Sequence, residues 1–317
     1  MLRVGLAQVA PVFLDREATL ARVIGRIEEA GRQGCRLVAF GETIAPAYPV
    51  WLCRTDGARF DDPDQKLLHA RYLEQAVVPE AGHLEGVCRA ARQVAATVVL
   101  GVAERAADRG GHTLYCSRVV IDQTGRIASV HRKLMPTYEE RLAWGAGDAA
   151  GLVTHRVGDF TMGALNCWEN WMPLARAALY AAGEDLHVAL WPGCERLTRD
   201  ITRFIALEAR SYVLSVCGLI REPDLPENVP LRDRIARAGE VLYDGGSCVA
   251  GPDGRWVVEP VVDREQLIVA DLDVDRVRQE RQNFDPAGHY ARPDVLRLIV
   301  DRRRQQAAHF VDPHPAD

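Results

Sequence analysis

Apolar positions along the chain fall into short runs and helical stripes. Residues 2–9 (LRVGLAQV) form a strand-like run. Leu20, Val23, Ile24, Ile27 and Ala30 then recur at helical spacing within 15–33, and Gly34 supplies a stop. Residues 36–40 are short and almost wholly apolar, the pattern of a strand covered on both faces. A helix over 85–96 leads into a strand over 97–102. Strands over 113–122 and 127–131 flank Gln-Thr-Gly-Arg, a hairpin signature. The pattern resumes with strands at 160–166, 188–191 and 212–219, separated by helices at 173–182 and 201–210. A second hairpin turns at Gly-Pro-Asp-Gly (251–254), and a last strand covers 267–272. Strands alternating with helices, interrupted by two hairpins, predict an α/β protein with mixed sheets. About a dozen strands exceed what one twisted open sheet holds, which predicts two packed sheets. The arginine-rich stretch from Val274 onward reads as irregular. No internal repeat is visible. The expected division is one domain over 1–285 and a C-terminal tail over 286–317 that forms an interface with a partner subunit.

Composition narrows the function classes. The 317 residues are 48% apolar and 26% charged, an ordinary globular balance. With 39 basic against 44 acidic side chains, the net charge of −5 offers no basic stripe and argues against nucleic acid as a partner. No run of eighteen apolar residues occurs, and the first residues lack a signal-peptide pattern, so the expectation is a soluble, cytoplasmic protein without membrane contact. Eight cysteines stand singly with no CxxC pair, as buried thiols in a reducing compartment would, and suggest neither a disulfide framework nor a zinc site. Of the 39 basic residues only Lys66 and Lys133 are lysine. Where arginine fills nearly every positive position, a remaining lysine marks either chance survival or a tight site that only a compact ammonium suits. Lys66, in a helical stretch, fits the first description.

Three segments place reactive side chains after strand-like runs. Glu42 follows Leu-Val-Ala-Phe-Gly. On local sequence it is either an acid at the mouth of a cleft or an exposed loop residue. Lys133 lies in HRKLMPTYEER, where Glu139 and Glu140 follow it by six and seven residues, a pattern that a solvated charge run would share. Cys167 ends a strand in NCWENWMP, with Pro173 in the first turn of the next helix. A helix N-terminus or a cation there would lower the thiol pKa, and backbone N–H groups after the cysteine could cradle an anion. Any single cysteine is otherwise a small buried hydrophobe.

Glu42 in GET, Lys133 in HRKLMPTYEER and Cys167 in NCWENWMPL resemble the Glu-Lys-Cys triad of the nitrilase superfamily, in its order and with its spacing. The resemblance runs from RVGLAQ to Gly-His-Tyr-Ala-Arg-Pro-Asp (288–294). The Cys-Trp-Glu-Asn and GHYARPD segments resemble the nitrilase branch more than its amidase or N-carbamoyl hydrolase relatives. It implies a four-layer α-β-β-α sandwich with two mixed sheets, subunits paired through helices near the triad, and further contacts that build spirals. It implies Cys167 as nucleophile, Lys133 as stabilising cation, Glu42 as general base, and Glu140 as a second acid beside the lysine. Trp168 would lend a backbone N–H and shape the pocket. Its substrate would be a small nitrile, hydrolysed to acid and ammonia without metal or organic cofactor. Tyr48, Trp51, Tyr138, Trp144, Trp168, Trp171 and Trp191 lie in or near these segments, and Tyr48, Trp168 and Trp191 are the candidates for contacting substrate, although each aromatic also suits a core. His289 matches a nitrilase-typical histidine and reads as a structural or interface residue. Competing readings are an amidase or N-carbamoyl hydrolase with the same triad, a cyanide-degrading variant, and a catalytically silent assembly module on this fold.

Overall fold

The computed structural model describes residues 1–236, 242–308 and 311. In chain order, β1 (Leu2–Gln8) leads through α1 (Arg16–Arg32) to β2 (Leu37–Phe40). The short α2 (Trp51–Arg54), α3 (Pro63–Gln75) and α4 (Glu85–Val94) precede β3 (Thr97–Arg105), and the hairpin β4 (Leu114–Ile121) to β5 (Ile127–Arg132) follows. The second half begins with β6 (His155–Val157) and β7 (Phe160–Asn166). It continues through α5 (Pro173–Ala181), β8 (Leu186–Trp191), α6 (Glu195–Ala209), β9 (Tyr212–Cys217) and β10 (Leu219–Ile220). Then come α7 (Arg232–Ala236), β11 (Tyr243–Ala250), β12 (Trp256–Val262), β13 (Gln266–Leu272) and α8 (Val274–Arg281).

The strands form two mixed sheets, ordered β13-β1-β2-β3-β4-β5 and β6-β7-β8-β9-β11, with β10 and β12 also paired to β11. Alternation along the strands sets the layers. Leu37 and Ala39 of β2 enter the core between the sheets together with Val188 and Leu190 of β8. Val38 and Phe40 point the other way, under Leu20, Val23 and Ile27 of α1 and Val87 and Ala91 of α4. On the far side, Ile201 and Ile205 of α6 cover Ala189 and Val213, and α5 covers Leu165 through Ala175, Ala178 and Leu179. The result is the four-layer α-β-β-α sandwich that the resemblance implied.

Both sheets repeat one pairing scheme. Walking from β13 to β5, or from β6 to β12, neighbours are antiparallel, parallel, parallel, antiparallel and antiparallel. This topological duplication is invisible in the sequence because alternation tells which face a residue takes but not which strand it pairs with.

Three expectations need correction. The strand expected at 212–219 is broken at Gly218: β9 ends at Cys217, Gly218 N still donates to Trp191 O at the end of β8 at 3.3 Å, and Leu219–Ile220 form the separate β10 against β11. The helix expected from Ile201 starts at Glu195: its first six residues, Glu-Arg-Leu-Thr-Arg-Asp, carry a single apolar side chain, Leu197, and so offered no apolar stripe to read. The stretch from Val274 is not irregular at its start: Asp273 caps α8 by accepting from Asp275 N, and only Val277 is buried, so there was no periodic signal to read. The tail beyond it returns to the body, with Val300 packed against the cluster of Leu152, Leu165 and Leu179 and Arg304 bonded to Asp148 at 3.0 Å. Residues 309, 310 and 312–317 of that tail lie outside the described residues.

Candidate active site

Glu42, Lys133 and Cys167 each stand one or two residues beyond a strand, and local chemistry fixes each. After β2 the chain turns at Gly41 against the second sheet, where a Cβ would come within 2.7 Å of both Gly218 N and Trp191 O. Glycine is required by that approach. It lets Glu42 N donate to Trp191 O at 3.0 Å, so the end of β8 anchors the acid delivered by β2. Lys133 follows β5. Its N–H donates to Cys116 O and its carbonyl accepts from Gly147 N, both at 2.8 Å. Cys167 follows β7 with φ +45, a left-handed conformation that only the surrounding structure holds in place. It opens a five-residue 3-10 turn, Cys167–Trp171, before α5 begins.

The three converge in one buried cluster with Glu140. Lys133 Nζ donates to Glu42 Oε1 at 2.9 Å and to Glu140 Oε2 at 2.7 Å. A carboxylate oxygen of Glu42, one of Glu140 and Cys167 Sγ all lie within 4.8 Å of one another. Glu140 is held in turn by Thr137 N at 2.6 Å and by the Tyr48 hydroxyl at 2.8 Å. Two carboxylates and a sulfur this close could ligate a cation, and the positive charge between them is the Lys133 ammonium. The other lysine, Lys66, is exposed and paired with Asp61. Of the two lysines, it is Lys133 that is buried among carboxylates.

The electrostatics suit a proton-transferring cluster. Burial raises Glu42 from the ordinary carboxylate range to about 7, against the lowering effect of Lys133 and with the Glu140 charge adding to the rise. Burial alone would push Lys133 down, but Glu42, Cys167 and Glu140 outweigh it and hold the ammonium well above its usual value. Cys167 departs from expectation. Its thiol is pushed well up, first by burial and then by Glu42, while Lys133 and the Trp168 N–H bond to the sulfur only partly oppose this. A short turn and one already paired ammonium do not outweigh two carboxylates and the loss of water. The resting Cys167 is therefore a neutral thiol.

Around this cluster lie groups that sequence reasoning did not single out. Glu169, fully buried, accepts from Asn166 N at 3.0 Å and from Leu134 N at 2.9 Å, and pairs with His131 Nε2 at 2.9 Å. It thus ties the residue before Cys167 to the residue after Lys133. Burial would raise Glu169, but His131 and the two N–H groups win and lower it. Asn170 donates to Cys167 O at 2.8 Å, and His187 bridges Asn170 to Glu184 at 2.7 Å on each side. Cys116 on β4 donates to Glu42 Oε1 at 3.2 Å. Glu169 lies inside a motif already read. Cys116 lies in an apolar strand run and carried no signal. Glu169→Gln is expected to lower Tm, losing roughly 1–3 kcal/mol because the amide must face an N–H with its own donor, and to cut hydrolysis as well. Unchanged Tm and turnover would make the carboxylate a bystander.

The aromatic candidates separate. Tyr48 is buried edge-on to Trp144 and Tyr243, with centroids 5.7 and 5.4 Å away. Trp144 stands 5.9 Å from Lys133 Nζ. Trp191 is fully buried with its indole N–H on Ser215 Oγ at 3.2 Å, packed in the same apolar cluster as Cys167. Trp51 is core, whereas Trp168 and Trp171 are 45% and 42% exposed and tilt against each other. Tyr138 is exposed, and His289 lies on the tail surface against Tyr290.

Comparison with known proteins agrees with this geometry. A family model described as carbon-nitrogen hydrolase matches residues 3–282. An aliphatic nitrilase of Sinorhizobium fredii (strain HH103) is 37% identical over 96% of this chain and 97% of its own. One of Rhodococcus rhodochrous is 34% identical over 98% and 82%. An arylacetonitrilase of Aspergillus niger is 34% identical over 96% and 90%. Among solved structures, a carbon-nitrogen hydrolase from Helicobacter pylori G27 superposes with TM-score 0.69 at 19% identity, covering 94% of this chain and 99% of that one. An amidase from Nesterenkonia sp. gives 0.65 at 18%, over 89% and 94%. The last two speak for the fold. With the family pattern running almost from end to end, and relatives at this identity matched over most of both chains, this chain belongs to the carbon–nitrogen hydrolase family.

Proposed function

We propose that this chain is a nitrilase that hydrolyses an organic nitrile to the carboxylic acid and ammonia through a covalent cysteine adduct. The observation that carries the reading is the Cys167 sulfur within 4.8 Å of two carboxylates that share one buried ammonium. Relatives named nitrilase at 32–37% identity support nitriles over amides. Glu42 takes the thiol proton as Cys167 Sγ bonds to the nitrile carbon, and passes it to the nitrogen, giving a thioimidate. Water activated by Glu42 adds next. Ammonia leaves, and a second water releases the acid from the thioester. Lys133 and the Trp168 N–H stabilise the developing negative charge, each worth about 3–4 kcal/mol on the scale of a lost oxyanion donor. Glu140, braced by Tyr48, keeps the ammonium in place. Tyr48 and the half-exposed Trp168 would border the substrate, and Trp191 would support the cysteine turn from beneath.

The decisive measurement is ammonia and acid release from a panel of nitriles beside their matching amides. Acid from nitriles supports the reading. Turnover of amides alone would replace it with an amidase.

We also assign a homo-oligomer. Trp168 and Trp171 of the turn before α5 and Leu174 in its first turn, with Phe204 and Leu207 of α6, leave an exposed apolar face next to the site, and Arg176 over the Phe204 ring at 5.5 Å joins the two helices. A second copy of the chain covering this face would bury it, and the tail over 286–317 would supply a further contact toward a spiral. Leu174→Glu should halve the mass in light scattering; an unchanged mass would remove this face from the interface. Among the described residues no helix is long and apolar enough to cross a membrane. The buried thiols of Cys116, Cys167, Cys217 and Cys248 suit a reducing compartment, and we place the enzyme in the cytoplasm.

A further inference from the structure

Glu42 has two oxygens in unequal situations. Oε1 accepts from Lys133 Nζ at 2.9 Å and from the Cys116 thiol at 3.2 Å, whereas Oε2 is buried with no hydrogen-bond partner among the described residues. A buried carboxylate oxygen without a donor is costly and is retained where a proton or substrate visits it. Cys116 is itself completely buried on β4, and its carbonyl accepts from Lys133 N. One residue therefore touches both the base, through its side chain, and the lysine, through its backbone. We propose that Cys116 is a positioning residue of the proton-transfer step: its S–H, with Lys133, pins Glu42 Oε1 and so keeps Oε2 as the atom that takes the Cys167 proton and returns it to the substrate nitrogen.

The thiol can serve as a donor because it stays protonated. Burial, and then the Glu42 charge, push Cys116 well above the usual thiol range. The atoms balance simply. The Cys167 S–H bond breaks and its proton goes to Oε2, the electron pair left on sulfur forms the S–C bond, and the Cys116 proton never leaves its sulfur. Other groups facing Glu42 are the Lys133 ammonium, the Glu140 carboxylate, the Cys167 thiol and the phenols of Tyr48, Tyr72 and Tyr243. Among the described residues only Lys133 and Cys116 donate hydrogen bonds to its carboxylate.

A donor to the carboxylate favours its charged form, so losing the S–H raises the Glu42 pKa. The base works deprotonated, hence the acid limb of kcat/KM moves to higher pH. The inference rests on Glu42 being the base of a nitrile hydrolase, and the test has one arm that needs turnover and one that does not. In the first, pH profiles of the whole enzyme, Cys116→Ala and Cys116→Ser are compared on a nitrile that the parent hydrolyses. The expected result is a limb raised by about 0.5–1 pH unit in Cys116→Ala, with kcat lowered more than KM is changed, and a return to the parental position or below in Cys116→Ser, whose hydroxyl is a stronger donor. In the second, infrared difference spectra of parent minus Cys116→Ala, taken without substrate, isolate one S–H stretch. A hydrogen-bonded position that moves in Glu42→Gln supports the contact. Identical acid limbs in all three enzymes, or an S–H band at the unbonded position and indifferent to Glu42→Gln, overturn the proposal while leaving the nitrilase reading intact. A parent inactive on every nitrile, with the infrared contact present, overturns the functional reading instead.

Discussion

Cys167→Ala is expected to lower kcat by a factor on the order of 10⁶, the loss seen when a hydrolase is deprived of its covalent nucleophile. Lys133, Glu42 and the Trp168 N–H would remain in place, but a nitrile carbon is a reluctant electrophile, and water held by those groups lacks the polarisable attack that sulfur supplies. The substitution removes a single heavy atom from a buried cluster of Ala189, Trp191, Ile201 and Ile205, so the fold should survive with a cost of about 1 kcal/mol. Ammonia release and thermal melting measured on the same sample separate the two effects. Turnover within tenfold of the parent would remove Cys167 from the chemistry, whatever the melting curve shows.

Lys133→Arg should be nearly as damaging, although it keeps the charge. The ammonium sits fully buried between Glu42 Oε1 at 2.9 Å and Glu140 Oε2 at 2.7 Å, with the Trp144 ring 5.9 Å away. A planar guanidinium is wider and directs its donors in a fixed fork. Fitting it would displace at least one carboxylate, and overpacking of this kind costs about 1–3 kcal/mol. The electrostatic loss is larger in effect, since a misplaced donor at the developing anion is worth roughly 10²–10³ in kcat. A kcat loss of that size with a modest fall in Tm is the expected signature. Retention of most activity would show that the cation need only be positive and is not aimed at the reacting centre. That Lys133 is one of two lysines in a chain otherwise filled with arginine accords with such intolerance.

Which parts of the site were legible follows from how each residue is held. Glu42, Lys133 and Cys167 could be read because each follows a strand whose pattern is strong and because each lies in a motif of reactive residue types. Glu140 rested on resemblance alone, since local sequence could not rank it against Glu139; the structure buries Glu140 on Lys133 and Tyr48 while Glu139 is only partly buried. Trp191 lay near a motif, yet its side chain is committed to Ser215 and its carbonyl carries the contact to Glu42. A backbone acceptor leaves no mark in residue identity. Cys116 reads as one more apolar position of β4, and only pairing that strand between β3 and β5 turns it toward Glu42. The thiol pKa of Cys167 was misjudged for the same reason: the cation was visible in sequence, but the burial and the second carboxylate that outweigh it were not.

By itself the sequence determined the alternation of strands and helices, both faces of β2 being buried, the three reactive segments and the family to which they point. Those are local properties, set by side-chain period, turn chemistry and residue type. The tertiary structure alone decided the duplicated pairing of the two sheets, the cross-sheet anchoring of Glu42, the clamp of Glu169 between the lysine and cysteine segments, and the protonation state of the resting thiol. Each of these depends on the distance between groups remote in the chain and on how much water is excluded between them, and neither quantity is written in the order of the residues.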